Sequence, residues 1–515
     1  MSITIPLHDD EAYYWFYSLK LDWGYFDHPP MVAVFIKLGV LLFGKSILGV
    51  RILSVVTSTI LYWLIHQIQL KFNSAQKPFS SLIFYLSIPI LSIYGFITTP
   101  DVPLLLFGAL WLKLLLDKST TWPYVFLQAI VAALLVYSKY HGGIFILLTL
   151  PLLFKKYGAV KGFTTGLIAI LLFVPHVIWQ FENGLPSFSY HLVDRYGGFK
   201  LSYFLNYLIS PFVVFGIAIC MVNFIKYKYY FICLTLLFLT FLIPAFSGRV
   251  EAHWLAIGSL LLIPAFSELS NRQFRILAVQ ALILIIARIA FPFTSHEIRG
   301  FKKTESWALS IEDCAKKLPV VFINSYKKAA KYMFYTDGKS ISENNTYGRK
   351  NQFNLIERPN FENDPVFLVS PYGTKGLLKL NESVYGKEFS SFQTANGLSA
   401  SLDSLQYSHK NDLVFIELNF SFENVNQVPY SFSNSEFSPK LNLMALKQGL
   451  KKHEKYWKLE LENDEVKSGE SAIKVSGCIP TKIFEKLKNE SFCLVLARDF
   501  IYKSQLSSPF YLSSP

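Results

Sequence analysis

A chain of 515 residues that is 52% hydrophobic, 16% aromatic and only 17% charged has too little polar surface for a soluble enzyme of this length, so it reads as an integral membrane protein. The formal net charge of +13 does not point to nucleic acid, because many basic residues of the first half lie in short loops between apolar runs rather than on one face. The cysteines, Cys220, Cys233, Cys314, Cys478 and Cys493, include no CxxC pair and have no histidine at zinc spacing beside them. They suggest neither a metal site nor a disulfide framework, although a bridge between two of the last three stays open.

In chain order, no basic n-region followed by an apolar core and a cleavage site precedes residue 10, so no signal peptide is expected. Residues 1–48 read as a loop. Within them, HDDEAYYWFYSLKLDWGYFDHPPM, from His8 to Met31, crowds Asp9, Asp10, Glu11, Asp22 and Asp27 among Tyr13, Tyr14, Trp15, Tyr25 and Phe26. Carboxylates among aromatics suit holding a sugar while taking a proton from an acceptor. The competing explanation is an aromatic interfacial belt with solvated acids.

From residue 49 to residue 293 apolar runs follow one another, each about the length that crosses a bilayer as a helix, and they amount to about ten spans. Their limits are 49–70, 79–97, 101–117, 122–138, 141–154, 162–179, 203–225, 229–246, 253–268 and 274–293. Lys71 and Lys77, Lys118, Lys155 with Lys156 and Lys161, Lys226 with Lys228, and Arg272 with Arg275 then fall on one side, which the positive-inside rule makes cytoplasmic. Lys20, Lys37 and Lys45 run against this threading and are outweighed by the alternating loops. The opposite side receives the first loop, the turn before Asp101, the SKYHG stretch at 138–142, the loop 180–202, the turn 247–252 and everything after residue 294. That last region turns to strand patterns such as VFIELNFSF at 414–422. It is expected to be a soluble α/β or β-rich extracytoplasmic region of residues 294–515, with a weak division near residue 395, at Ala395, Asn396 and Gly397.

The first loop resembles that of the GT-C glycosyltransferases of family 39, the protein O-mannosyltransferases and lipid A aminoarabinose transferases. In them an Asp-Glu pair opens the loop, and an acid, a base and a Pro-Pro pair close it. Asp10 and Glu11, then Asp27, His28, Pro29 and Pro30, match here. The resemblance covers about residues 8–293. It implies a polytopic helical GT-C bundle, Asp10 as catalytic base or acceptor-orienting carboxylate with Asp27 beside it, and Glu11 and His28 among the substrate-binding residues. The SKYHG stretch is similar to a family position where a lysine faces the carrier phosphate, which makes Lys139 its candidate; the bland reading is a lysine snorkelling from a helix end. SFSYHLVDRYGGF, at 187–199, is similar to a loop whose arginine contacts phosphate, pointing to Arg195, with a surface pair to Asp194 as the alternative. GRVEAHW, at 248–254, adds Arg249 and His253 with Glu251. Asp101 in TTPDVP also fits the family, but Asp before a helix is equally a favoured N-cap. Arg288, near the outer end of the last span, faces the bundle or snorkels.

What the resemblance implies is single displacement at an anomeric carbon. A sugar leaves a polyprenyl phosphate donor for a hydroxyl of lipid A, protein or glycan, with inversion, at the outer face of a bacterial inner membrane. No cofactor is required, although Asp10 and Asp27 are also candidate ligands of a divalent metal. The family places a transmembrane helix before the Asp-Glu loop, whereas only nine residues precede Asp10 here, so that helix is expected to be either absent or lost by truncation. A transporter or flippase of lipid-linked sugar is the rival reading. It would place charges near the midplane, not at one edge.

Overall fold

The computed structural model describes all residues except 1–2, 192–197, 222–224, 296–297, 299, 303, 344–349, 356–363, 372–377, 382–383, 394–397, 425–429, 433–439, 447–455, 462–464, 468, 488–490, 499–501, 506–509 and 512–515. The chain divides into two units, Met1–Thr304 and Glu305–Pro515.

The first unit is helical. Its opening loop contains two helices. α1 (Asp9–Leu19) starts in a capping box, in which the His8 side chain accepts from the Asp10 amide and Glu11 reaches back to the His8 amide. Three acids, Asp9, Asp10 and Glu11, occupy the first turn, where the helix dipole favours them. α2 (Met31–Phe43), read from the sequence as loop, is an apolar helix that begins directly after the Pro29-Pro30 pair. It packs on α3 (Ile47–Leu70) so closely that a Cβ on Gly39 would stand 2.1 Å from the carbonyl oxygen of Gly49.

The predicted spans follow. The run 79–97 is broken by Pro89 into α4 (Pro78–Ser87) and α5 (Pro89–Ile93), because proline cannot donate the next helical hydrogen bond. α6 (Asp101–Leu116) and α7 (Trp122–Ser138) come next. α8 (His141–Glu182) carries both the fifth and the sixth predicted spans, with a break at Gly158, φ 72° and ψ 177°. Its two arms return on each other there. Tyr157 reaches Tyr124 at the start of α7, while Tyr137 at the end of α7 bonds the Leu172 carbonyl of the second arm at 2.8 Å. After α9 (Pro186–Ser189) come α10 (Leu201–Phe215), α11 (Lys228–Ser247) and a fully buried segment, 254–267, that alternates 3-10 and α turns. α12 (Ser259–Leu262) lies within that segment, and α13 (Asn271–Thr294) closes the bundle.

Among the described residues, five helical stretches are long and apolar enough to cross a membrane: Ile47–Leu70, His141–Glu182, Leu201–Met221, Lys228–Ser247 and Asn271–Thr294. α13 turns Leu282, Ile286, Ile289 and Phe293 outward at 56%, 57%, 63% and 76% exposure, a surface that lipid covers and water would not tolerate. This is an integral membrane protein.

In the second unit, α14 (Glu305–Ala315) precedes β1 (Val320–Ile323), α15 (Tyr326–Tyr335), β2 (Ser340–Glu343), β3 (Val366–Ser370), β4 (Leu378–Asn381) and β5 (Val384–Phe389). They form one sheet of order β2-β1-β3-β5-β4, with β1 parallel to both neighbours. Among the described residues, the strands from residue 398 onward pair with one another, as in the long antiparallel ribbon of β6 (Leu398–Lys410) and β7 (Leu413–Asn424). Ala395, Asn396 and Gly397, where a division was expected, lie outside the described residues. Cys314 and Cys478 are free thiols.

Gly158 holds a backbone conformation that side-chain-bearing residues reach only at a cost of about 1–3 kcal/mol. Gly158→Ala therefore lowers the thermal unfolding midpoint in detergent. Gly166→Ala, at a helical position of α8 with nothing within 4 Å of the added Cβ, leaves it unchanged.

Candidate active site

The site begins with a buried charge. Arg51, in the first turns of α3, is 0% exposed. Its Nε donates to Glu11 Oε1 at 2.7 Å and its Nη2 to Glu11 Oε2; the remaining donors go to the carbonyls of Ile5 at 2.8 Å and Pro6 at 2.9 Å. Glu11 Oε1 also accepts the Thr98 amide at 2.9 Å. One guanidinium-carboxylate pair thus joins the segment before α1, α1 itself, α3 and the turn that leads into α6. This corrects the expectation for Glu11: it is 0% exposed and both its oxygens are filled by protein groups, so it positions the loop and does not reach a ligand.

The far end of the loop is held through its backbone. The carbonyls of Trp23, Tyr25 and Asp27 accept from His176 Nδ1 at 2.7 Å, Ser187 Oγ at 3.1 Å and His191 Nε2 at 3.0 Å. A carbonyl only accepts, so His176 carries its proton on Nδ1 and offers Nε2 to the Tyr140 hydroxyl, 3.0 Å away. Gln180 links the same Tyr140 hydroxyl, at 3.1 Å, to Ser187, at 2.9 Å.

Between these two anchors stand the predicted charges. Lys139, the C-cap of α7, is 2% exposed, and its Nζ lies 2.8 Å and 3.0 Å from the two carboxylate oxygens of Asp101, itself 2% exposed. Both bland readings fail here. A snorkelling lysine would reach water, and Asp101 caps nothing, since the α6 N-cap is Pro100 without a side-chain bond. Tyr94 donates to the second Asp101 oxygen at 3.1 Å, and the charge of Asp10 bears on that tyrosine. Asp27, 4% exposed, accepts the Tyr17 hydroxyl at 3.2 Å; burial first, and then the Asp27 charge, hold the Tyr17 phenol well above its ordinary pKa, so it stays a donor. Asp10 is more open, its side chain 35% exposed, with His8 Nδ1 3.6 Å from its carboxylate. His28 packs edge-on to Tyr14 and 6.3 Å from the His191 ring, which also neighbours Trp254. Asp27, Asp101, Lys139, His28 and His191 therefore converge from four separate stretches of chain, with Asp10 at the margin.

Arg249 does not join them closely. It is 68% exposed and pairs with Glu251 at 3.0 Å, the ordinary loop-charge arrangement. His253, in the adjoining 3-10 turn, acts electrostatically on His141. Arg195 and its alternative partner Asp194 lie outside the described residues. Arg288 turns to the bundle, its guanidinium 4.8 Å over the Phe96 ring. As metal ligands, Asp10 and Asp27 are drawn to other partners, and among the described residues no group of three or more His, Cys, Asp or Glu is arranged to hold an ion.

Residues 27–179 match the family model described as dolichyl-phosphate-mannose-protein mannosyltransferase. The match includes Asp27, Asp101 and Lys139, while Asp10 and Glu11 precede it. Two solved structures share the fold. ArnT from Cupriavidus metallidurans in the apo state aligns with a TM-score of 0.53 at 14% identity, over 75% of this chain and 95% of that one. The same protein bound to undecaprenyl phosphate gives 0.52 at 15% identity, over 75% and 95%. No curated protein matches the chain. The chain thus shares the fold of ArnT, and its residues 27–179 resemble the mannosyltransferase family.

Arg51→Met leaves the Glu11 charge buried and unpaired, which costs about 3–5 kcal/mol and lowers the unfolding midpoint in detergent accordingly. Adding Glu11→Leu removes the stranded charge, and part of the lost stability returns.

Proposed function

We propose that the protein is a glycosyltransferase that moves a sugar from a polyprenyl phosphate to a hydroxyl acceptor, with inversion at the anomeric carbon. The observation that carries this reading is the buried Lys139–Asp101 pair at the adjoining ends of α7 and α6, gathered with Asp27 under a loop whose margin presents Asp10. The family-39 kind of fold supports it, since a protein of that fold binds undecaprenyl phosphate.

Asp10, the more accessible carboxylate, takes the proton of the acceptor hydroxyl as its oxygen forms the new bond to the anomeric carbon. The bond from that carbon to the phosphate oxygen breaks in the same step, and the electron pair leaves with the polyprenyl phosphate. Lys139 stabilises the charge that grows there, with Asp101 and Tyr94 fixing the direction of its ammonium group. Arg195, by family resemblance, adds a second cation. Asp27, held by Tyr17, orients the acceptor or sugar beside Asp10. Loop charge supports an extracytoplasmic site in a bacterial inner membrane, facing an acceptor on lipid A, protein or glycan. The charged groups gather at helix ends, which favours transfer over the transport reading.

Purified protein incubated with radiolabelled polyprenyl phosphate sugars and membrane acceptors is expected to transfer label. Asp10→Asn reduces the rate by about 10²–10⁴-fold, and Lys139→Met by about 10²–10³-fold. Equal transfer by Asp10→Asn and wild type rules out Asp10 as the base; no transfer from any carrier rules out the function.

A further inference from the structure

His141 is the first residue of α8, two residues after Lys139, and is 7% exposed. Neither of its ring nitrogens has a hydrogen-bond partner among the described residues. Its ring is fixed between Phe241, with centroids 5.0 Å apart, and Trp254, 5.2 Å apart at 68°, so the nitrogens cannot swing away to find one. A buried polar group left unsatisfied is costly, and packing that locks it in place implies a partner that arrives from outside.

The surroundings give that partner's sign. The groups that bear most on the ring are Lys139, at the end of α7 with its charge shared by Asp101, and the bases His191, His253 and His28, from the segment after α9, from the 3-10 turn Ala252–Gly258 and from the first loop. The ring also stands at the start of a long helix, whose dipole favours negative charge there. Tyr140, the N-cap, makes no side-chain capping bond, and a Cβ placed on Gly143 meets nothing within 4 Å, so the first turn borders open space.

We propose that His141 is a phosphate-recognition residue, donating a ring N–H to an oxygen of the donor's phosphate beside Lys139 and the first turn of α8. This rests on the polyprenyl phosphate reading of the donor. The phenyl ring of His141→Phe keeps the aromatic packing and removes both nitrogens, while His141→Gln keeps a donor.

Binding of undecaprenyl phosphate, and separately of inorganic phosphate, to the purified full-length protein in detergent tests the assignment. His141→Phe is expected to weaken undecaprenyl phosphate binding by about 10-fold or more, the loss of one hydrogen bond to a charged acceptor, and His141→Gln by less than about 3-fold. Unfolding midpoints at or above the wild-type value show that both variants fold. If His141→Phe fails to fold, weakened binding by folded His141→Ala, restored in His141→Gln, supports the assignment, and equal binding by wild type and folded His141→Ala overturns it. Equal lipid binding by wild type and His141→Phe overturns the role of His141 and leaves the proposed function standing. Inorganic phosphate bound as tightly as the lipid, and lost in His141→Phe, makes this a free-phosphate site and overturns the donor assignment. Wild type that binds no undecaprenyl phosphate overturns the donor reading and this inference with it.

Discussion

The Arg51–Glu11 pair sits in the interior of a membrane protein, where neither charge can be left alone. A buried ion pair of this kind contributes little net stability over a well-packed apolar pair, yet removing one partner is severe. What it contributes is specification. The guanidinium also takes the carbonyls of Ile5 and Pro6, and the carboxylate takes the amides of His8 and Thr98, so four backbone groups satisfy their hydrogen bonds only when α1, α3 and the turn before α6 are in register. The same register places Asp10, one residue before Glu11, and fixes the start of α6, where Asp101 meets Lys139.

The rest of the loop depends on a different device. Its carbonyls, not its side chains, are gripped by His176, Ser187 and His191, so Tyr13, Tyr14, Tyr17, Tyr25 and Asp27 are left to shape the interior. The stack of Tyr17 on Tyr25, with centroids 4.3 Å apart and planes 7° from parallel, makes one wall, and the Tyr17 hydroxyl is then placed on Asp27. Within the site the Lys139 charge is matched by Asp101, which fixes the direction of its ammonium group.

Much of this was legible in the sequence. Apolar run lengths located helices between residues 49 and 293, but five stretches rather than about ten are long and apolar enough to span among the described residues, and the crowding of acids and aromatics between His8 and Met31 marked the loop. Lys139 and Asp101 were each singled out, but nothing in a linear chain of loops and helices says that the two form a pair across 38 residues. Arg51 was missed although it carried a signal, being an ionisable residue near the start of an apolar span, where such residues usually face the bundle interior. Glu11 was assigned to substrate on the resemblance of the Asp-Glu pair, and the 40 residues that separate it from Arg51 hide a bidentate pair. α2 escaped because it is short for a span and follows a Pro-Pro pair that also reads as the end of a loop. The hairpin within α8 was read as two spans with a loop, which matches its two arms and is blind to Gly158 as its pivot.

The central claim is that the groups gathered under the first loop form one site for a lipid-linked phosphate, held in place by the Arg51–Glu11 pair. A structure of the protein with undecaprenyl phosphate bound tests it most directly. The account predicts the phosphorus within contact distance of Lys139, between the ends of α6 and α7 and the first turn of α8, with the isoprenoid leaving between helices. Density for the phosphate at any other place on the protein, with the Lys139–Asp101 cluster still closed and unliganded, would contradict it.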